Sequence, residues 1–148
     1  MGYFMKKKDF KKIGTQNKKN GVISELEVAA HLLRKNYTVF KPFGEQVYDL
    51  VIVENNKIKK IQIKSGLYKN GCVVFRAMKR KYISNSVSYL QHYTKEEIDY
   101  FCVYSYELDR IFLISIEEVG ERDDIYLRVD HPKNNQVKEI LWAKDFEI

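Results

Sequence analysis

The sequence predicts a mixed α+β domain, of the broad α/β class, in which a central mixed β-sheet is flanked by helices. Three observations predict it. Apolar runs rich in β-branched residues outnumber helical stretches. Two of these runs enclose a pair of asparagines, as in a β-hairpin. One amphipathic helical pattern precedes them. A sheet covered by a few helices would bury the apolar residues in one core.

The first twenty residues are expected to form a basic, flexible tail, and residues 21–148 a single domain. The tail contains seven lysines against one acid, Asp9, a composition typical of a solvated segment. Lys18 and Lys19 adjoin the domain and are candidate contacts to phosphates.

Residues 21–36 are predicted to form a helix. Apolar side chains recur there at helical spacing and make one stripe: Val22, Leu26, Ala29, Ala30 and Leu33. Glu25 lies in the first turns, where an acid can simply complement the helix dipole. The helix pattern alone therefore gives Glu25 no further role.

A short strand and a hairpin follow the helix. Residues 37–41 read as a strand that Pro42 ends. The next loop contains Glu45, which stays open as an auxiliary metal ligand. Two apolar runs, residues 48–53 and 58–63, predict the hairpin strands.

The hairpin is expected to gather polar side chains at one end of the sheet. Strand side chains alternate between faces, so Gln62 and Lys64 point one way and Ile61 and Ile63 the other. In an antiparallel pair the start of one strand lies beside the end of the next. Asp49, at the start of the first strand, is therefore expected next to Gln62 and Lys64.

The rest of the chain is predicted to extend the sheet and to add a basic segment. Strands are expected at residues 72–77, 99–104, 111–116 and 125–129, a helical turn at 117–119, and weak helical spacing at 137–146. Between the first two of these strands the chain mixes cations with tyrosines, and Thr94 is the expected cap of a short helix. Candidate phosphate contacts in this segment are Lys79, Arg80 and Lys81.

Composition narrows the class of partner. The formal net charge of +6 favours a polyanion, either nucleic acid or an acidic membrane surface. No apolar run approaches the about 20 residues of a membrane span, and no secretory signal follows the basic start. Cys72 and Cys102 lack metal-site spacing, so free thiols in a reducing cytoplasm are expected.

Asp49, followed on the next strand by Gln62-Ile63-Lys64, resembles the motif of the PD-(D/E)XK nucleases. The pattern of that family is an Asp on one strand, then an acid, any residue and a lysine on the next. Gln62 stands where the family usually has Glu or Asp. The same substitution is familiar in the homing endonucleases associated with group I introns, which this chain resembles more closely.

The resemblance extends upstream to Gly21 and Ser24-Glu25 and downstream to residues 98–101 and Tyr104, and it covers most of the chain from residue 21 to residue 145. It implies a restriction-endonuclease-like core and metal-dependent hydrolysis of double-stranded DNA, of the site-specific homing type. It also implies a homodimer or homotetramer, because cutting both strands of a duplex calls for two active sites.

The resemblance implies a role for each site residue. Glu25 and Asp49 would be the carboxylate ligands of Mg²⁺, for which Mn²⁺ could substitute, and the backbone carbonyl of Ile63 a further ligand. Lys64 would orient or help to deprotonate the attacking water and offset developing negative charge. Gln62 could offer a carbonyl oxygen to the ion or to its water. The expected catalytic residues are thus Glu25, Asp49, Gln62 and Lys64.

Two alternative functions stay open. Archaeal-type Holliday junction resolvases are similar in size and carry an equivalent set, but they normally keep an acid at the position of Gln62. A DNA-binding module with an inactive site would explain the loss of that acid, but not the retention of Glu25, Asp49 and Lys64. Other chemistries lack a motif: the three histidines are too scattered for zinc, and neither a phosphate-binding glycine loop nor a nucleophile elbow occurs.

Overall fold

A computed structural model describes residues 16–134 and 138–148. The predictions for residues 1–15, with the lysines at positions 6–12, and for residues 135–137 lie outside these ranges. Within them the architecture is mixed α+β, as predicted: a long helix, an eight-stranded mixed sheet and a separate two-stranded ribbon. Neither helix in the described part of the chain is long and apolar enough to cross a bilayer.

The elements follow one another mostly as strands. The two α-helices are α1 (Gln16–Arg34) and α2 (Ile116–Val119). The strands are β1 (Val39–Phe40), β2 (Leu50–Glu54), β3 (Lys57–Lys69), β4 (Cys72–Arg76), β5 (Met78–Tyr82), β6 (Ser88–His92), β7 (Tyr100–Ser105), β8 (Arg110–Ser115), β9 (Asp124–Arg128) and β10 (Leu141–Trp142). A 3₁₀ turn, Ala143–Asp145, follows β10.

β3 organises the sheet, because three strands pair with successive parts of it. Its first residues pair antiparallel with β2, its middle pairs parallel with β7, and its end pairs antiparallel with β4. Gly66 lies where the pairing passes from β7 to β4. A Cβ at Gly66 would come within 2.5 Å of Val73 Cγ1 and 2.8 Å of Val103 Cγ1. A glycine therefore lets the two neighbouring strands close on β3.

The predicted hairpin between β2 and β3 is confirmed. Its turn residues, Asn55 and Asn56, have φ angles of 50° and 61°. Two consecutive residues with positive φ form the type I′ turn, whose twist matches that of the flanking strands. Asparagine tolerates this conformation better than most residues with a side chain, which explains why the pair was a reliable signal.

Buried side chains lie on both faces of the sheet. Along β7, Phe101 and Val103 belong to one cluster and Cys102 to the other, as strand alternation requires. The second cluster is covered by α1, through Val28 and Leu32. The buried side chains of the hairpin all belong to this second cluster, whereas β7 has one cluster on each of its faces.

α1 begins earlier than predicted. It starts at Gln16, so the expected boundary between tail and domain at residue 21 lies inside the helix. At the other end, Asn36 adopts φ 64°, and Tyr37 N donates to Leu32 O at 3.0 Å. A left-handed asparagine after the last helical turn is a common helix end.

The side of α1 that packs on the sheet is not the apolar stripe seen in the sequence. The fully buried residues of the helix are Ser24, Val28 and Leu32. The three largest members of the stripe are more than half exposed: Val22, Leu26 and Leu33.

Two segments with helical signals form other structures. At Thr94 there is one turn, in which Ile98 N donates to Thr94 O at 3.2 Å, and the chain then enters β7. Over the described residues 138–146 the predicted helix is wrong, because β10 pairs parallel with β9 and only a short 3₁₀ turn follows it. Beyond β10 the backbone pairs with β8, where Leu113 N donates to Phe146 O at 2.8 Å.

Candidate active site

Asp49 and Gln62 meet at one end of the hairpin, as predicted. Asp49 Oδ2 accepts hydrogen bonds from Gln62 Nε2 and from the backbone N–H of Ile63, both at 2.8 Å. The backbone N–H of Asp49 donates to Ile61 O at 2.8 Å, so strand pairing fixes the residue itself. Ile61 and Ile63 are buried in the cluster under α1. The side chains of Gln62 and Lys64 lie on the opposite face.

The positive charges near Asp49 do not fully offset the effects of its burial and of Glu25. Burial raises its pKa, the hydrogen bond from Ile63 N–H lowers it, and repulsion from Glu25 raises it again. Lys41 and Lys64 oppose the rise, but the pKa of Asp49 stays above its ordinary value. A buried carboxylate beside a second carboxylate is stabilised by a nearby cation.

α1 brings Glu25 to this end of the sheet. The preceding residue, Ser24, is buried, and its Oγ lies 2.7 Å from Ser65 Oγ and 3.0 Å from Tyr106 O–H. These bonds fix the rotation of α1 against β3. Glu25 Oε2 accepts from Lys41 Nζ at 2.8 Å. Lys41 is a site residue that sequence reasoning missed, since nothing in its surroundings distinguishes it from other surface lysines.

Lys64 is mostly buried, and its ammonium has oxygen partners. Nζ donates to the backbone carbonyl of Met78 at 3.1 Å and lies 3.4 Å from the O–H of Tyr93. Burial lowers the pKa of Lys64 to about 8, against the attraction of Asp49, which raises it. A lysine with a pKa this close to neutrality can both carry charge and exchange a proton near physiological pH.

Gln62 points toward Asp49, as predicted, and its amide nitrogen donates the hydrogen bond to the carboxylate. Its Nε2 also lies 3.3 Å from the carbonyl oxygen of Ile63. The amide N–H₂ of Gln62 thus lies between the Asp49 carboxylate and the Ile63 carbonyl oxygen, both of which carry negative charge or partial charge.

These oxygens fit a hard divalent cation. Among the described residues, no three His, Cys, Asp or Glu side chains gather into a metal site. The oxygens that this end of the sheet offers to a cation are the carboxylates of Glu25 and Asp49 and the backbone carbonyl of Ile63. Oxygen donors in small number suit Mg²⁺, which keeps several of its waters in proteins. Glu45 is exposed in its loop and nothing in its surroundings adds it to this set.

The structure divides the expected phosphate contacts on β5. The two ribbon strands pair residue by residue, so Lys79 and Lys81 share one face and Arg80 lies on the other. Lys79 pairs with Glu97, and Lys81 and Arg80 are exposed. On the first turns of α1, Lys18 and Lys19 are also exposed.

Comparison with known proteins supports the same fold. The sequence model of a family described as PD-(D/E)XK endonuclease matches residues 15–148. A solved structure, described as the bacterial homing endonuclease I-Ssp6803I, matches with a TM-score of 0.71 and 19% sequence identity, covering 88% of this chain and 87% of that chain. At that identity the likeness shows the fold, and the predicted core is confirmed. None of the curated proteins compared with the chain matches it.

Proposed function

This chain belongs to the PD-(D/E)XK endonuclease family, and on that premise we propose that it hydrolyses phosphodiester bonds in double-stranded DNA with the help of a divalent metal ion. The observation that carries the proposal is the meeting of Asp49, Gln62 and Lys64 on one face of a hairpin, with Glu25 close enough to raise the pKa of Asp49. Hydrolysis of a phosphodiester needs charge neutralisation and a positioned water, and these residue types supply both.

Glu25, Asp49 and the carbonyl of Ile63 would hold Mg²⁺, with Mn²⁺ as a substitute. Such an ion, when bound, neutralises phosphate charge and polarises water. The backbone N–H of Ile63 and the amide of Gln62 hold the Asp49 carboxylate in one orientation. Lys41 neutralises Glu25 from the solvent side and would have to release it for the ion.

Lys64 would act on the attacking water and on the phosphate. Its charged form offsets the negative charge that develops on the phosphate oxygens. Its neutral form can accept a proton from the water, and a pKa of about 8 keeps both forms accessible. Hydrogen bonds to the Met78 carbonyl and to Tyr93 hold the ammonium in place.

We further propose site-specific cleavage of the homing type. The structural neighbour is itself described as a homing endonuclease, and Gln62 matches the motif variant of that branch. Two cuts in a duplex call for two active sites, so a homodimer or homotetramer is the proposed working form. The enzyme would act in the cytoplasm.

The function can be tested on a randomised DNA library, because no target needs to be known. Cleaved molecules are recovered after incubation with Mg²⁺ or Mn²⁺, and a recurrent sequence at the cut ends identifies the site. EDTA should abolish cleavage. Asp49→Asn and Lys64→Met should each slow cleavage about a hundredfold or more while DNA binding persists.

Each site variant has a matched control that makes the same change of charge at a residue outside the candidate site. Asp124 pairs with the exposed Arg76, and Lys57 is exposed at the β2–β3 turn, so Asp124→Asn and Lys57→Met should cleave like the parent. Undiminished cleavage by both site variants would refute the assignment. Cleavage of four-way junctions in preference to linear duplex would favour the resolvase alternative. DNA binding without cleavage under any metal would favour the inactive module, which the loss of an acid at Gln62 suggests.

A further inference from the structure

Lys64 is held by the root of the two-stranded ribbon. The ribbon consists of β5, β6 and the intervening residues 83–87, and its first and last residues, Met78 and His92, are register partners. Lys64 Nζ donates to the backbone carbonyl of Met78 and approaches the hydroxyl of Tyr93, the residue that follows β6. Both strands of the ribbon therefore contribute a partner to one ammonium group.

The ring of Tyr93 is fixed by the core and faces two lysines. It packs edge-on against the fully buried Phe101, with ring centres 5.3 Å apart and an interplanar angle of 88°. Lys64 Nζ lies 5.0 Å and Lys79 Nζ 5.3 Å from the centre of the Tyr93 ring. Both ammonium groups therefore lie within the distance at which a cation is attracted to an aromatic ring. Burial raises the pKa of Tyr93 to about 12, so the phenol stays neutral.

The root of the ribbon is also attached to the body of the protein. Lys79 pairs with Glu97, His92 Nε2 lies 2.7 Å from Asp123 Oδ1, and Ala77 N donates to Asp123 O at 2.8 Å. The far end is different: Tyr82 and Ile83 have about 70% of their surface exposed. The ribbon thus projects from an anchored root that adjoins the active site.

We propose that Tyr93 is a positioning residue for Lys64, so that the ribbon and the catalytic lysine form one unit, an inference that rests on the proposed nuclease function. Phe101 fixes the ring of Tyr93, and the face and hydroxyl of that ring contact the Lys64 ammonium. The Met78 carbonyl is the remaining partner of the ammonium. The same β-strands carry Lys81 at their exposed end, where a duplex would be contacted. The ribbon therefore connects a DNA contact at its exposed end, Lys81, to the catalytic Lys64 at its root.

The experiment compares Tyr93→Phe with Tyr93→Leu. Phe keeps the ring and its packing and loses the hydroxyl, whereas Leu loses both the ring and the hydroxyl and leaves the ammonium only the Met78 carbonyl. In single-turnover cleavage at saturating protein, Tyr93→Leu should lower the rate about tenfold or more and Tyr93→Phe only a few-fold, while the Kd for DNA changes less than about twofold. Tyr126, exposed on β9, gives the control pair Tyr126→Phe and Tyr126→Leu, which should cleave like the parent.

A second measurement does not depend on cleavage. In NMR spectra of lysine-labelled protein, with the signal assigned through Lys64→Met, the methylene next to Nζ of Lys64 should show a ring-current shift. That shift should persist in Tyr93→Phe and vanish in Tyr93→Leu. An unchanged shift in Tyr93→Leu would overturn the inference, as would parent-like cleavage by that variant. If the parent protein never cleaves DNA but shows the ring-current difference, the proposed function is refuted. The positioning of Lys64 by Tyr93 would then still hold.

Discussion

Gln62 sets the charge balance of the site. Asp49 is half-buried and close to Glu25, so its pKa is already raised. A neutral amide at position 62 donates a hydrogen bond to Asp49 Oδ2 at 2.8 Å. The carboxylate that the family usually has there would place a third negative charge against Asp49, and only a bound cation would relieve the repulsion. The glutamine therefore suits a site that must also be stable without metal.

Gln62→Glu tests this balance through stability. In EDTA the variant should unfold more easily than the parent, by about 1 to 3 kcal/mol, since a charge-assisted hydrogen bond is replaced by repulsion. Added Mg²⁺ should stabilise the variant more than the parent, because an ion that binds only the folded state raises stability according to its affinity. Thermal melts across a Mg²⁺ series measure both effects.

Gln62→Leu is the matched control for that series. It removes the hydrogen bond to Asp49 without adding charge, so it should lose stability in EDTA but gain no extra response to Mg²⁺. It should also slow cleavage, because Asp49 is then held by the Ile63 N–H alone. Identical melting curves for the Glu variant with and without Mg²⁺ would contradict the proposed charge balance.

At the scale of elements, β5 carries cations on both faces, and only one face can lie against a duplex. Lys79 and Lys81 share the face that, at the ribbon root, looks toward Tyr93 and Lys64. Lys81→Ala should therefore reduce the slope of log affinity against log salt by about one, the loss of one phosphate contact. Arg80→Ala should change that slope less.

Fluorescence anisotropy on a duplex of arbitrary sequence, at several salt concentrations, measures both slopes. Lys57, exposed in the β2–β3 hairpin, supplies the control Lys57→Ala, which should leave the slope unchanged. Equal losses in Lys81→Ala and Arg80→Ala would mean that the ribbon is surrounded by DNA on both faces. No change in either would remove the ribbon from the interface.

The hairpin could be predicted from sequence because its signals are local. Asn55 and Asn56 adopt the positive φ that their turn requires, and alternation along β3 places Gln62 and Lys64 on one face. The rest of β3 could not be predicted in the same way, because Gly66 interrupts its strand pattern. The pairing of β3 with β7 and β4 joins residues far apart in the sequence, so no local pattern indicates it. The ribbon gave no local signal either, because both of its faces are largely polar or exposed and a period of two needs one buried face.

The rotation of α1 shows why the helix could be found and its buried face could not. Apolar spacing finds any helix with a stripe, whether or not that stripe is buried. Here two hydroxyl contacts of Ser24 fix which side meets β3, and a lone serine in a helix carries no such information in the sequence. The same rotation presents Glu25 to the site.

At the scale of the whole molecule, the exposed side of α1 has the features of an interface. Val22, Leu26 and Leu33 are 56%, 65% and 57% exposed. With Ala29, which is half-buried and packs against the core at the edge of this side, they follow a spacing of four, three and four residues, which is that of a helix-pairing seam. We expect a second copy of the chain to pack on this row of exposed apolar side chains. Because Glu25 precedes Leu26, pairing of α1 with the same helix of a second copy would place two active sites across one two-fold axis.

This surface predicts the dimer that the proposed cleavage of both strands would require. One helix pair buries less than the about 1,600 Å² of a standard interface, so we expect a dimer whose population rises with concentration and with DNA. Leu26→Glu combined with Leu33→Glu should shift the protein to monomer in light scattering after size exclusion, and should convert double-strand cleavage into nicking. Ile58, 71% exposed on the hairpin, gives the control Ile58→Glu, which should associate like the parent. Association unchanged in the double variant would contradict the proposed seam.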